Sequence, residues 1–150
     1  MDEILDRLSE MEWVYGDGDP VALAELRNRI DAIGPNPNGF LKYTDFVDGV
    51  TFRLANVNNG EPFEIREWTN LERAIIGSFL GRITADSYRQ GRFFASALVI
   101  RSEGTGPGDG FYSLAHDVGA IRSRNEDLEF WLRHVNLARQ WYAANRVGEQ

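Results

Sequence analysis

The sequence predicts a single α+β domain over residues 1–150: an N-terminal helical hairpin, a small, mainly antiparallel sheet of about three strands with helices packed on it, and a long C-terminal helix. Three observations predict it. Apolar residues recur at helical spacing behind recognisable caps towards both ends of the chain. Residues alternate in character on either side of Asn58-Asn59-Gly60. The run Arg92 to Arg101, RFFASALVIR, is apolar on both alternating faces and rich in β-formers. With 43% hydrophobic and 26% charged residues in a chain of 150, there is enough apolar content for one core.

Asp2 to Tyr15 places Ile4, Leu5, Leu8 and Met11 at helical spacing, with Asp2 and Glu3 at the positive end of the helix dipole. Gly16-Asp17-Gly18 breaks the pattern, and Asp19-Pro20 supplies an N-cap and a first helical residue for a second helix carrying Leu23, Leu26, Ile30 and Ile33. The loop Gly34 to Gly39, GPNPNG, closes this hairpin. It is not a domain boundary, because the first 33 residues are too few to bury their own stripe. Phe40 to Gly49 reads as a short helix. Val50 to Ala55 and Pro62 to Arg66 read as the two strands of a β-hairpin turned at Asn58-Asn59-Gly60.

Thr69-Asn70-Leu71-Glu72 fits a capping box, and Leu71, Ile75, Phe79 and Ile83 follow on one helical face. Gly81 is placed to end or bend that helix, Thr84 to recap a short turn through Gln90, and Gly91 to stop it. Arg92 to Arg101 then reads as a central strand buried on both sides. After the loop Ser102 to Gly110, Phe111, Leu114, Ala115 and Val118 mark a short helix ended by Gly119. Ser123-Arg124-Asn125-Glu126 is a second capping box and opens a helix of about twenty residues to Asn145.

At 100° per residue, Leu128, Trp131, Leu132, Val135, Ala138 and Tyr142 share one face of that last helix and form the expected core stripe. Phe130, Leu137 and Trp141, with His134 nearby, lie almost opposite. A helix with two apolar stripes is either packed between layers of its own domain or offers one stripe to another chain, so Phe130, His134, Leu137 and Trp141 are the candidate partner interface.

Composition narrows the chemistry. The absence of cysteine removes disulfides, thiolate nucleophiles and cysteine-bound metals, and two histidines leave little for a histidine-rich site, so neither metal nor cofactor is expected. No apolar run approaches the roughly 20 residues that span a bilayer, and the start Met-Asp-Glu-Ile lacks the basic opening of a secretory signal. A cytoplasmic location away from membranes is expected. The net charge of −7 argues against nucleic acid as a partner, since phosphate binding calls for a local excess of basic residues. All the basic residues but Lys42 are arginine, and planar guanidinium groups suit local anion sites.

Two groups carry candidate chemistry. The glycine-rich loop Ser102 to Gly110 joins the expected strand to a helix start, where free N–H groups attract anions, and it nominates Arg101, Gly108, Asp109 and Gly110 as ligand-binding residues. It lacks the Gly-Lys-Ser/Thr of a Walker loop and the dinucleotide-binding glycine spacing. Asp109, Tyr112 and His116 fall on one helix face and add Tyr112 and His116 to the candidate ligand set. No nucleophile or oxyanion hole completes them, so no catalytic residue is nominated. The carboxylates Glu64, Glu67, Glu126, Asp127 and Glu129 lie where helix starts and solvated surfaces call for them.

Residues 91–119, GRFFASALVIRSEGTGPGDGFYSLAHDVG, carry a Gly-Arg, a Ser-Ala-Leu-Val strand, a Pro-Gly-x-Gly-Phe turn and a Leu-Ala helix. This pattern resembles a signature of small bacterial proteins of unassigned function. The resemblance implies that strand, loop and helix form one structural unit, and it implies no activity. Three functions are open on the sequence. The leading one is a non-enzymatic interaction protein, of the immunity, antitoxin or defence-associated kind, acting on a protein partner or as a homo-oligomer. The alternatives are a small-ligand or phosphate-handling enzyme built on loop 102–110, and a nucleic-acid-binding regulator with a winged-helix-like core using Arg66, Arg73, Arg82, Arg89 and Arg92.

Overall fold

One long helix, α4 (Asn70–Gly91), forms the axis of the computed structural model, which describes residues 2–145. It opens at the expected capping box, with the Thr69 N–H donating to the Glu72 carboxylate at 2.9 Å. It neither ends at Gly81 nor recaps at Thr84. A Cβ at Gly81 would lie 2.2 Å from the Trp13 ring, and one at Gly91 would lie 2.5 Å from Trp141. Both glycines therefore let indole rings approach the helix backbone. The left-handed residue that terminates the helix is Arg92, at φ 59°, whose N–H and guanidinium both donate to the Tyr88 carbonyl.

Helix α2 (Pro20–Ile33) stands where the sequence predicts it, whereas α1 (Glu3–Glu10) stops before the extended Met11 and does not run on to Tyr15; both pack against α4. Asp2 caps α1 through the Leu5 N–H at 3.1 Å. Asp19 is buried and does two things at once: one carboxylate oxygen accepts from the Ala22 N–H to cap α2, and the other accepts from the Arg53 N–H at 2.7 Å. That second bond fastens the start of α2 to the segment following α3 (Tyr43–Val47).

The expected antiparallel sheet is absent among the described residues, and the fold is mostly helical. Among the described residues the only strands are β1 (Leu41–Lys42) and β2 (Val99–Ile100), which pair in parallel with Leu41 opposite Val99. The anticipated hairpin at residues 50–66 keeps its reversal, with Asn58, Asn59 and Gly60 all at positive φ, but its pairing is one bridge between Phe52 and Phe63. The ladder stops there because its next groups are already engaged: the Val57 N–H donates to the Leu54 carbonyl and the Glu61 N–H to the Asn58 carbonyl. Without a two-stranded wing, the winged-helix description does not hold.

The apolar run expected as a central strand is buried from Phe93 to Ile100, yet it turns through a 3-10 segment, Ala95–Leu98, before the two residues of β2. Side chains from the flanking helices take up its backbone groups. The Ser87 hydroxyl accepts from the Ala95 N–H and donates to the Phe93 carbonyl, His134 Nδ1 accepts from the Phe94 N–H at 2.9 Å, and the Trp131 indole donates to the Ala97 carbonyl at 2.9 Å. From Phe93 to Leu98 the segment is sandwiched between helices and satisfied in this way, so only Val99 and Ile100 pair with a strand.

Helix α5 (Asp109–Asp117) ends at Gly119, which is left-handed as expected. Helix α6 (Asp127–Ala144) follows a short 3-10 turn and the second predicted capping box. Both of its apolar stripes reach the core: Val135, Ala138 and Tyr142 of the expected core stripe are buried, as are residues of the stripe expected to meet a partner. Phe130 and His134 are buried at 4% and 5% exposure, whereas Leu128 and Leu132 are exposed at 62% and 48%. The stripe nominated for a partner is thus largely turned towards the segment Phe93 to Leu98. Phe130 packs edge-on to Phe94, and Trp141 lies against Phe93. Five phenylalanines, Phe46, Phe52, Phe79, Phe93 and Phe94, are completely enclosed and form the centre of the core.

Candidate functional site

Loop 102–110 is an ordered corner. The Arg101 N–H donates to the Gly106 carbonyl and the Gly104 N–H to the Arg101 carbonyl, each at 2.8 Å, while Gly104 and Gly106 take positive φ. Gly108 is the N-cap of α5 and brings no side chain to it. The Tyr43 hydroxyl sits so close to Gly108 that a Cβ there would lie 2.5 Å away. Burial pushes the Tyr43 phenol above its ordinary range, against the opposing influence of the Gly108 backbone and the Arg101 charge.

This corner forms one end of a cleft of about 840 Å³ between α4 and α5. Its lining includes Tyr43, Trp68 and Arg73, with Arg101, Gly108, Asp109 and Gly110 of the corner; Tyr43 and Trp68 meet edge to face with ring centroids 5.7 Å apart. The lining also includes Met11, Trp13, Leu80, Leu114 and Asp117. The floor along α4 is made of Ala74, Gly77 and Gly81. Three segments remote in sequence supply the aromatic walls: the connection after α1, the start of α3 and the residue before the α4 cap.

Four of the six candidate ligand residues, Arg101, Gly108, Asp109 and Gly110, line this cleft, and Tyr112 and His116 do not. Arg101 forms an ion pair with Asp109, so the corner presents a neutralised pair and not a bare guanidinium. His116 Nε2 meets Asp127 at 2.9 Å, joining α5 to the start of α6. Burial and the Asp127 charge push the Tyr112 phenol upward. The acid–base trio expected of Asp109, Tyr112 and His116 is therefore divided between the cleft and the α5–α6 contact.

The candidate interface residues are likewise placed by packing. Phe130 and His134 are enclosed, and Leu137 and Trp141 are half-buried against the core. Burial holds His134 down to about 4, so the ring is neutral and its Nδ1 remains free to accept the Phe94 N–H. Of the arginines assigned to a nucleic-acid face, Arg82 pairs with Asp17 and Asp86, Arg89 with Asp86, Arg92 with Asp2 and Arg66 with Glu64. Carboxylates thus hold most of that set. Arg73 has no ion-pair partner among the described residues and faces the cleft.

Among the described residues no group of three or more His, Asp or Glu side chains is arranged to hold a metal ion, and no helix is long and apolar enough to cross a membrane. The sequence did not single out Trp13, Tyr43, Trp68 or Gly77 as site residues. Only Gly77 left a signal, as a glycine inside a strongly predicted helix. No protein-family model, curated protein or solved structure matches the chain.

Proposed function

We propose that this chain is a non-enzymatic, cytoplasmic binding protein whose ligand occupies the cleft between α4 and α5. The observation that carries this reading is the convergence of three aromatic side chains, Trp13, Tyr43 and Trp68, with the glycine-rich corner around a space of ligand size. A catalytic reading is less well supported, because His116 and Tyr112 lie outside the lining. Two of the four tryptophans line the cleft, which provides an internal reporter. A neutral aryl probe, N-phenyl-1-naphthylamine, is expected to bind saturably and to quench tryptophan emission, and the quenching should diminish in Trp68→Leu. Probe fluorescence that stays unsaturated, or that is unaltered in that variant, would remove the cleft as the site.

A second reading, contact with another protein chain, is favoured by Leu128 and Leu132, which lie one turn apart on α6 and are both exposed. We propose a second copy of the chain as the occupant of that face. A solution mass above that of the monomer, returned to monomer by the double substitution Leu128→Glu and Leu132→Glu, is the expected result. A monomeric mass for the parent chain at high concentration eliminates self-association. Immunity, antitoxin or defence-associated roles would use the same face on a different partner.

A further inference from the structure

We propose that the cleft selects a cationic ligand with an apolar body, an amine or quaternary ammonium group on an alkyl or aryl skeleton; this rests on the ligand-binding reading above. The charge lining the cleft points to this chemistry. Arg101 is neutralised by Asp109, which leaves two carboxylates, Glu103 and Asp117, against one guanidinium, Arg73, among the residues that line the cleft. The chain as a whole carries a charge of −7, so a cation is also attracted at long range. The aromatic walls act in the same sense, because the faces of indole and phenol rings attract cations through their quadrupoles.

The floor of the cleft shows where the apolar body lies. Gly77 is in the interior of α4, where glycine costs about 1 kcal/mol relative to alanine. No packing contact accounts for it: a Cβ there would meet nothing within 4 Å, unlike one at Gly81, which would strike Trp13. Gly110, in the first turn of α5, has the same open space before it and lines the same cleft. A bare backbone facing an aromatic-walled space permits a flat or chain-like skeleton to come closer to the helix than any other residue would.

The test uses three ligands with one ten-carbon chain, ending in trimethylammonium, hydroxyl or carboxylate, in competition with N-phenyl-1-naphthylamine on the full chain. The ammonium compound is expected to displace the probe about five-fold more tightly than the alcohol, and the carboxylate most weakly. Arg73→Gln removes the opposing charge and is expected to tighten the ammonium compound while leaving the alcohol unchanged. Trp68→Leu should bring ammonium and alcohol together. Gly77→Leu should abolish displacement by all three while the melting temperature stays level or rises, since leucine is the better helix former. Equal affinity for the three compounds, a preference for the carboxylate, or no effect of Arg73→Gln on the ammonium compound overturns the cationic assignment while the cleft stands. Absence of any saturable probe binding overturns the ligand-binding reading itself.

Discussion

Replacing Phe94 with alanine is expected to destabilise the protein by roughly 3–5 kcal/mol, the range for truncating a fully enclosed aromatic ring. Phe94 has no exposed surface, and its ring meets those of Tyr88, Phe111, Phe130 and His134, with centroids 5.9, 5.9, 5.2 and 4.9 Å away. These neighbours come from α4, α5 and α6, so the cavity left by truncation touches three helices. None can close it without moving against the others. In a domain of this length the loss corresponds to a fall in melting temperature of roughly 6–20 °C, a large share of the roughly 5–15 kcal/mol that stabilises such a domain. Phe94→Leu keeps part of the volume and is expected to lose less. Thermal and denaturant unfolding measure both variants; a change below about 1 kcal/mol in Phe94→Ala would show that the helices do not converge on this ring.

The burial of Phe94 was legible in the sequence, whereas its backbone conformation was not. The run RFFASALVIR announces a segment covered on both sides, and it is covered, by α4 and α6 over Ala95–Leu98, with a strand neighbour only at Val99 and Ile100. Apolar character reports what surrounds a segment; its hydrogen-bond partners are set by residues far away, here Ser87, Trp131 and His134. Local signals were reliable where their physics is local. The boxes at Thr69/Glu72 and Ser123/Glu126 and the Asp19-Pro20 start all depend on residues within three positions, and all occur as read.

Signals with two physical meanings were misread. Gly81 looks like a helix stop, since glycine is the common terminator, but α4 runs through it and the glycine admits the Trp13 ring; Gly91 is the last residue of α4, as read, and also admits the Trp141 ring. The two stripes of α6 are both visible, and periodicity cannot say whether the second meets the core or a partner; the rest of the chain decides it, by enclosing Phe130 and His134 together with Val135, Ala138 and Tyr142 of the first stripe. For the cleft, the loop half was nominated from glycine content. The aromatic half comes from Trp13, Tyr43 and Trp68, which are brought together only by the tertiary fold.

The buried imidazole of His134 makes stability depend on pH in a window where few other groups titrate. Burial, with a smaller influence from the Arg133 charge, holds its folded value at about 4 against an ordinary 6.5. A base depressed in the folded state binds its proton more readily when unfolded, so acidification favours the unfolded chain. The contribution is fully present above pH 6.5 and is lost as the pH falls through the window down to about 4, and it amounts to about 3 kcal/mol. Protonation of Nδ1 would also remove the acceptor of the Phe94 N–H, so the same event attacks the packing around Phe94. Asp2, Glu72 and Glu126 are held below the usual carboxylate range and also favour folding less as acid is added, chiefly below this window, whereas Asp31 is raised by burial and acts in the opposite sense. His134→Gln separates these contributions. It retains an oxygen able to accept a backbone N–H but does not titrate, so its denaturation midpoint should stay nearly level between pH 6.5 and 4.5 while that of the parent protein falls. Parallel profiles for the two proteins would mean that His134 is not the group responsible, and that its ring exchanges with solvent more freely than its enclosure between Phe94 and Phe130 allows.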